Sequence, residues 1–113
     1  HPLADFAYHC MVWRIPPGLF RGLGGLDLAS LGIPTEREYV AAYCRRTGRA
    51  GIEPRDWEYY MIYNMFRIAA IVQGVMARAL QGNASSAQAL ETGRAARPLA
   101  ELAWAQVERL KLS

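Results

Sequence analysis

PRDWEYYMIYNMFRIAAIVQGVMARALQ, residues 54–81, is the stretch that decides the fold. Placed on a wheel at about 100° per residue, Trp57, Met61, Met65, Ile68, Val72, Val75 and Met76 share one broad face. Asp56, Tyr60, Tyr63, Asn64, Arg67, Gly74 and Arg78 fall on a narrower opposite arc. This division predicts one long helix that starts at Pro54 or Arg55, runs to about Gln81 and stops at Gly82. Gln73 falls on the apolar side. A buried amide without partners costs about 1–3 kcal/mol, so Gln73 is expected to tie a neighbouring backbone segment. The most apolar part, Met61 to Leu80, contains Asn64, Arg67, Gln73 and Arg78. A membrane span needs about 20 residues with few or no charges, so the stretch reads as a core helix.

The rest of the chain is organised around it. Pro2 to Arg14 reads as a helix with Pro2 in its first turn and a stripe of Leu3, Phe6, Ala7, Cys10 and Trp13. Pro16-Pro17-Gly18 ends it. Residues 15–34 are a long glycine-rich loop. Its Gly run follows a helix, not a strand, and lacks a Gly-Lys-Ser/Thr ending, so it is a connector with positive φ at several glycines and not a phosphate cradle. Thr35-Glu36-Arg37-Glu38 is a capping box for a helix running to about Thr47, with Gly48 as its stop. Tyr39, Val40, Tyr43 and Cys44 are its apolar side. Asn83 caps a short helix through Leu90, and Pro98 opens the last one, with Leu99, Leu102, Ala103, Val107 and Leu110 as its stripe. No stretch alternates as a strand does. The expected fold is all-α, with about five helices in a single domain over 1–113.

The chain has 113 residues, 52% of them apolar, and a formal charge of +3. One domain of this size can bury a core without staples. The basic residues are spread along the chain, without the dense stripe that a nucleic-acid reader presents. Cys10 and Cys44 lie in helical patterns beside apolar neighbours and read as buried free thiols of a reducing compartment. With no basic segment leading into an apolar one at the start, the expected location is cytoplasmic.

Chemistry is sparse. His1 and His9 are the only histidines, and no Cys/His cluster has metal spacing. Asp5 and His9 lie one turn apart, spaced for a local ion pair. Asp5 stands among Leu3, Ala4, Phe6 and Ala7, where a carboxylate is costly to bury unpaired. It is expected to accept backbone N–H groups or to pair with a basic group, with Arg67 one candidate.

His1-Pro-Leu-Ala-Asp-Phe-Ala-Tyr8 resembles the segment after the metal-binding Asp-x-Glu motif in aminoglycoside-phosphotransferase-like and choline-kinase-like enzymes. Leu31-Gly-Ile-Pro-Thr35 and Tyr43-Cys-Arg-Arg-Thr-Gly48 resemble the family's second C-lobe helix. Phe66-Arg-Ile-Ala-Ala-Ile-Val-Gln-Gly74 and Gly82-Asn-Ala-Ser85 are similar to its later segments. The similarity is greatest to the branch associated with acyl-CoA dehydrogenases.

The resemblance implies the C-terminal helical part of a kinase-like fold, on the acceptor side of an ATP-dependent small-molecule phosphotransferase that acts on an alcohol group. Under it Asp5 braces the catalytic loop, and acceptor contacts fall to Trp57, Tyr60, Asn64 and Arg67 with the 15–34 loop. The Gly-rich nucleotide loop, the ATP-positioning Lys, the catalytic loop and the Asp-x-Glu ligands that define the family do not occur in these 113 residues. Phosphoryl transfer depends on such parts. The expectation is therefore a fragment, inactive alone, with no catalytic residue and no metal ligand of its own. Its partners are the missing N-terminal part of the same protein and a hydroxylated acceptor, with neither nucleic acid nor membrane. ATP and Mg belong to the parent enzyme. The alternative is a free-standing helical module for protein interaction or for dimerisation, with a homodimer as one possible arrangement.

Overall fold

The computed structural model describes residues 2–19, 22–80 and 93–112. Among them are four α-helices and one 3-10 turn: α1 (Pro2–Cys10), the turn Met11–Arg14, α2 (Glu36–Thr47), α3 (Pro54–Leu80) and α4 (Ala96–Leu112). No strand occurs among the described residues, and the all-α expectation holds. The short helix expected over Asn83 to Leu90 lies outside them.

α3 is the organising element. α4 packs along it, and α1 crosses it on another side. Trp57, Met61, Met65, Ile68 and Val72 are buried as the wheel required, against Ala7, Cys10 and Met11 from the first segment and Leu99 and Ala103 from α4. Each such large side chain contributes about 1.5–3 kcal/mol relative to leaving it in water. The buried sector is broader than the sequence suggested, because two helices share α3. It extends to Ile62 and Ala69 on one flank and to Asn64, fully buried, on the other.

Three details differ from expectation. The first helix does not stay α-helical to Arg14: its last turn tightens to 3-10 over Met11–Arg14. Gln73 is exposed, not buried, because the packing of α4 is centred elsewhere on α3. α4 begins at Ala96, so Pro98 stands within its first turn, where no N–H is required. Its buried stripe includes Gln106.

The local signals in the connectors are realised. Thr35 Oγ1 accepts from the Glu38 N–H at 3.1 Å, and the Thr35 N–H donates to Glu38 Oε1 at 3.0 Å. Gly48 closes α2 with a left-handed φ of 74°. The 15–34 loop folds back on the 3-10 turn: the Leu23 N–H donates to Val12 O at 2.7 Å and the Gly24 N–H to Ile15 O at 2.8 Å. Gly22 is required there, because a Cβ would collide with the Ile15 and Pro16 carbonyl oxygens.

Candidate functional site

Among the described residues the most connected polar group is Arg14, which sequence reasoning did not single out. It sits at the end of the 3-10 turn, inside the apolar run Met11-Val-Trp-Arg-Ile15. Its Nε donates to Glu36 Oε1 at 2.7 Å and its Nη2 to Glu36 Oε2 at 2.6 Å, a bidentate pair. The same guanidinium donates to both oxygens of Glu58, at 2.5 and 2.8 Å, and to Gln106 Oε1 at 2.7 Å. One side chain thus joins the first segment to α2, α3 and α4. Bidentate Arg–carboxylate pairs are the strong, geometrically specific kind.

The surroundings fix this geometry. Glu36 is the first residue of α2, where the helix N-terminus favours a negative charge. Its Oε2 also accepts from Trp57 Nε1 at 3.1 Å. The Gln106 amide completes itself by donating to Met65 Sδ at 3.4 Å. Burial pushes the Glu36 carboxyl up, but the bonds and charge of Arg14 and the Trp57 bond outweigh it and hold the group below its ordinary value. Burial likewise disfavours the charge on Arg14, but Glu36 and Glu58 outweigh it and raise its pKa. With one cation against two carboxylates, the node is net negative.

Two open cavities flank it. One, of about 480 Å³, lies between Arg14, Glu58, Gln106 and Arg109. The other, of about 430 Å³, is walled by Trp57, Val40 and Ile52, with Glu36, Glu58 and Arg37 at its rim. Both are of small-molecule size. Their carboxylates, amide and guanidinium groups suit hydrogen bonding to a hydroxylated molecule. The Cys10 thiol is buried, and that burial pushes its pKa up to about 12. Cys44 is also buried and free. Among the described residues no three His, Cys, Asp or Glu side chains converge as metal ligands.

The residues expected to meet an acceptor are not gathered in one place. Trp57 is buried and lines the 430 Å³ cavity, with its N–H committed to Glu36. Asn64, expected on a polar arc, is buried instead. Its Nδ2 donates to Ala4 O at 2.8 Å and to Tyr60 O at 2.9 Å, fastening α3 to α1, and its Oδ1 has no partner among the described residues. Tyr60 is half-buried. Arg67 is exposed and lies over the Tyr8 ring, 5.3 Å from its centroid. It does not pair with Asp5, which is exposed on α1. Nor does His9 pair with Asp5, since its Nε2 meets the Tyr39 hydroxyl at 2.9 Å. Tyr8 and Tyr39 meet Arg67 and His9 across helices, contacts that intrahelical spacing could not reveal.

No family model matches the chain. A solved structure of a candidate aminoglycoside phosphotransferase from Ralstonia eutropha JMP134 is 52% identical, with a TM-score of 0.86, over 96% of this chain and 32% of that one. The chain resembles the aminoglycoside phosphotransferase family. Acyl-CoA dehydrogenase family member 10 of Mus musculus is 44% identical over 105 residues, 91% of this chain and 10% of the mouse protein. Acyl-CoA dehydrogenase family member 11 of Homo sapiens is 34% identical over 101 residues, 89% of this chain and 13% of the human protein. The similarity to the branch associated with acyl-CoA dehydrogenases therefore holds. The chain spans about a third of the solved relative and about a tenth of these curated ones. No helix among the described residues is long and apolar enough to cross a membrane.

Proposed function

We propose that these residues form the acceptor-side helical part of an ATP-dependent phosphotransferase that acts on the hydroxyl of a small metabolite or acyl derivative. The observation that carries this reading is the 52% identity and shared fold with a third of a phosphotransferase-like chain. The Arg14 node supports it physically: four segments are tied together beside two ligand-sized cavities. Tyr60 and Arg67 are the proposed acceptor contacts that keep accessible surface, while Trp57 and Asn64 hold the walls that position them. Asp5, exposed on α1, is proposed to brace a catalytic loop supplied by another part of the enzyme. The nucleotide, magnesium and the carboxylates that hold them belong to that part. The enzyme is cytoplasmic in this reading, and the 113-residue chain alone transfers no phosphoryl group.

The test is a coupled assay of ATP consumption by the complete protein containing these residues, run against a library of hydroxylated acids, acyl derivatives, amino alcohols and sugars. The expected result is acceptor-dependent ADP release by the complete protein and none by the 113 residues alone. Failure of the whole library with the complete protein overturns the reading, as does phosphorylation of an alcohol by the short chain.

A further inference from the structure

A third cavity continues the one beside Trp57. It holds about 370 Å³ and shares Arg37, Val40 and Ile52 with that neighbour. Its floor is apolar, built from Val40, Cys44 and Ile52, and its rim carries Arg37, Arg45 and Arg49. Among the described residues no carboxylate lines it. Arg37 and Arg45 are separated by two steps of four along α2 and so share a face. Gly48 then turns the chain back at its left-handed φ, and the Arg49 N–H donates to Cys44 O at 2.9 Å, which brings Arg49 to the same opening.

None of the three guanidinium groups forms an ion pair or hydrogen bond with the described residues. The acids nearest in sequence are engaged elsewhere, Glu36 with Arg14 and Glu38 with the Thr35 cap. Helix electrostatics accounts for only part of the set. Arg45 stands in the last turn of α2, where a cation is favoured, but Arg37 stands in the first turn, where it is not. Cations gathered round a concave surface focus an attractive field for an anion. The Arg14 node next door holds one cation against two carboxylates and repels one. The joined cavities are therefore polarised, with an end that suits hydroxyl groups and an end that suits an oxyanion. Guanidinium donors form a planar fork that matches phosphate oxygens, and three of them suit a group with more than one negative charge.

We propose that the Arg37–Arg45–Arg49 rim holds a phosphate group of the acceptor, at the end remote from the hydroxyl that is phosphorylated. This deepens the function proposed above and rests on it. The acceptor class becomes a phosphate ester or diphosphate that also carries a free hydroxyl, and the negative node disfavours the reversed orientation.

The test is modification of arginines by phenylglyoxal in the complete protein, mapped by peptide mass spectrometry, with pyrophosphate as the probe. Pyrophosphate is expected to slow modification of Arg37, Arg45 and Arg49 at least about fivefold. Arg46, on the same helix but lining another groove, is expected to be unaffected. In Arg37→Gln/Arg45→Gln the pyrophosphate concentration that half-protects Arg49 should rise at least about tenfold. Arg46→Gln/Arg78→Gln removes the same charge away from the rim and should leave it unchanged. All five arginines are exposed, so these variants keep the fold, which circular dichroism checks. Rim arginines that react equally with and without pyrophosphate overturn the proposal. So does an equal shift in the two double variants, which reduces the effect to net charge. Equal protection by succinate, a dicarboxylate, also overturns it, because the rim then holds anions without regard to phosphate. The two readings fail separately: a protected rim in a protein that releases no ADP retires the enzyme and keeps the phosphate site, and acceptor-dependent ADP release with an unprotected rim does the reverse.

Discussion

The guanidinium of Arg14 grips the carboxylate of Glu36 through two parallel bonds, at 2.7 and 2.6 Å, across 22 residues of sequence. Neither side chain is free to water, with relative exposures of 19% and 22%. The pair joins the end of a 3-10 turn to the first residue of α2, and so fixes where the long loop between them must return.

Removing the cation should therefore cost more than removing a surface bridge. In Arg14→Met, Glu36 and Glu58 face each other without their shared donor. Breaking one side of a buried pair costs about 3–5 kcal/mol, and the residual exposure of Glu58 places this case near the lower end, at about 3 kcal/mol. Urea unfolding of Arg14→Met checks it. The double variant Arg14→Met/Glu36→Gln should recover part of the loss, since one unpaired charge is then absent. An Arg14→Met protein as stable as the wild type would show the node to be energetically idle.

The same pair sets an acid limit. The Glu36 carboxyl is held below its ordinary value of 4.5 when folded, so below that pH the unfolded chain binds the proton more readily. The stabilisation is present above the unfolded value and is lost as pH falls through the folded one. Urea midpoints measured from neutral pH down to about pH 3 should fall steeply below the ordinary glutamate value. Glu36→Gln should be less stable at neutral pH and should show a shallower fall.

How much of this was legible in the sequence depends on the range of the interaction. The faces of α3, the Thr35–Glu38 box and the Gly48 stop are written in spacings of three and four residues, and the fold follows them. Asn64 was misplaced because a wheel has one axis of burial, whereas α3 is covered from two directions by α1 and α4. The Arg14 node was invisible for a different reason. Its partners lie 22, 44 and 92 residues away, and no periodic signal reaches that far. The one trace was an arginine inside an apolar run, the mark of a buried charge that must find partners.

Cys10 offers a probe of folding. Its thiol is pushed up to about 12 by burial, so almost no thiolate exists in the folded protein near pH 8 and little reagent can reach it. In a Cys44→Ser background, alkylation of Cys10 should be at least about a hundredfold slower than in urea. Its rate should follow the global unfolding equilibrium. The linkage runs opposite to that of Glu36: a raised acid pKa supports the fold below the unfolded value near 9.0 and withdraws that support as pH climbs above it. Rapid labelling under native conditions would place Cys10 in a segment that opens locally.

The capping box is a local device with a local cost. Thr35→Ala removes the acceptor for the Glu38 N–H and frees the Glu38 side chain from its reciprocal bond. Loss of an N-cap of this kind costs about 1 kcal/mol. Thr35→Ser keeps the hydroxyl and should be nearly neutral. Thermal melts of the two variants separate the lost hydrogen bond from the lost methyl group.

Arg67 separates a structural from a binding role at the proposed acceptor side. It is exposed and stacks on Tyr8, and an exposed cation–π contact contributes about 0.5–1 kcal/mol. If it also contacts the acceptor, Arg67→Ala should weaken stability only by that small amount while raising KM for the acceptor about tenfold, or about 1.4 kcal/mol. Arg67→Lys keeps the charge but not the planar, multiply donating group, so it should rescue stability better than it rescues KM. Tyr8→Leu provides the control. It removes the ring under Arg67 and leaves the guanidinium free, so a KM that rises in Arg67→Ala but not in Tyr8→Leu assigns the effect to the acceptor. Equal changes in the two variants assign Arg67 to packing alone.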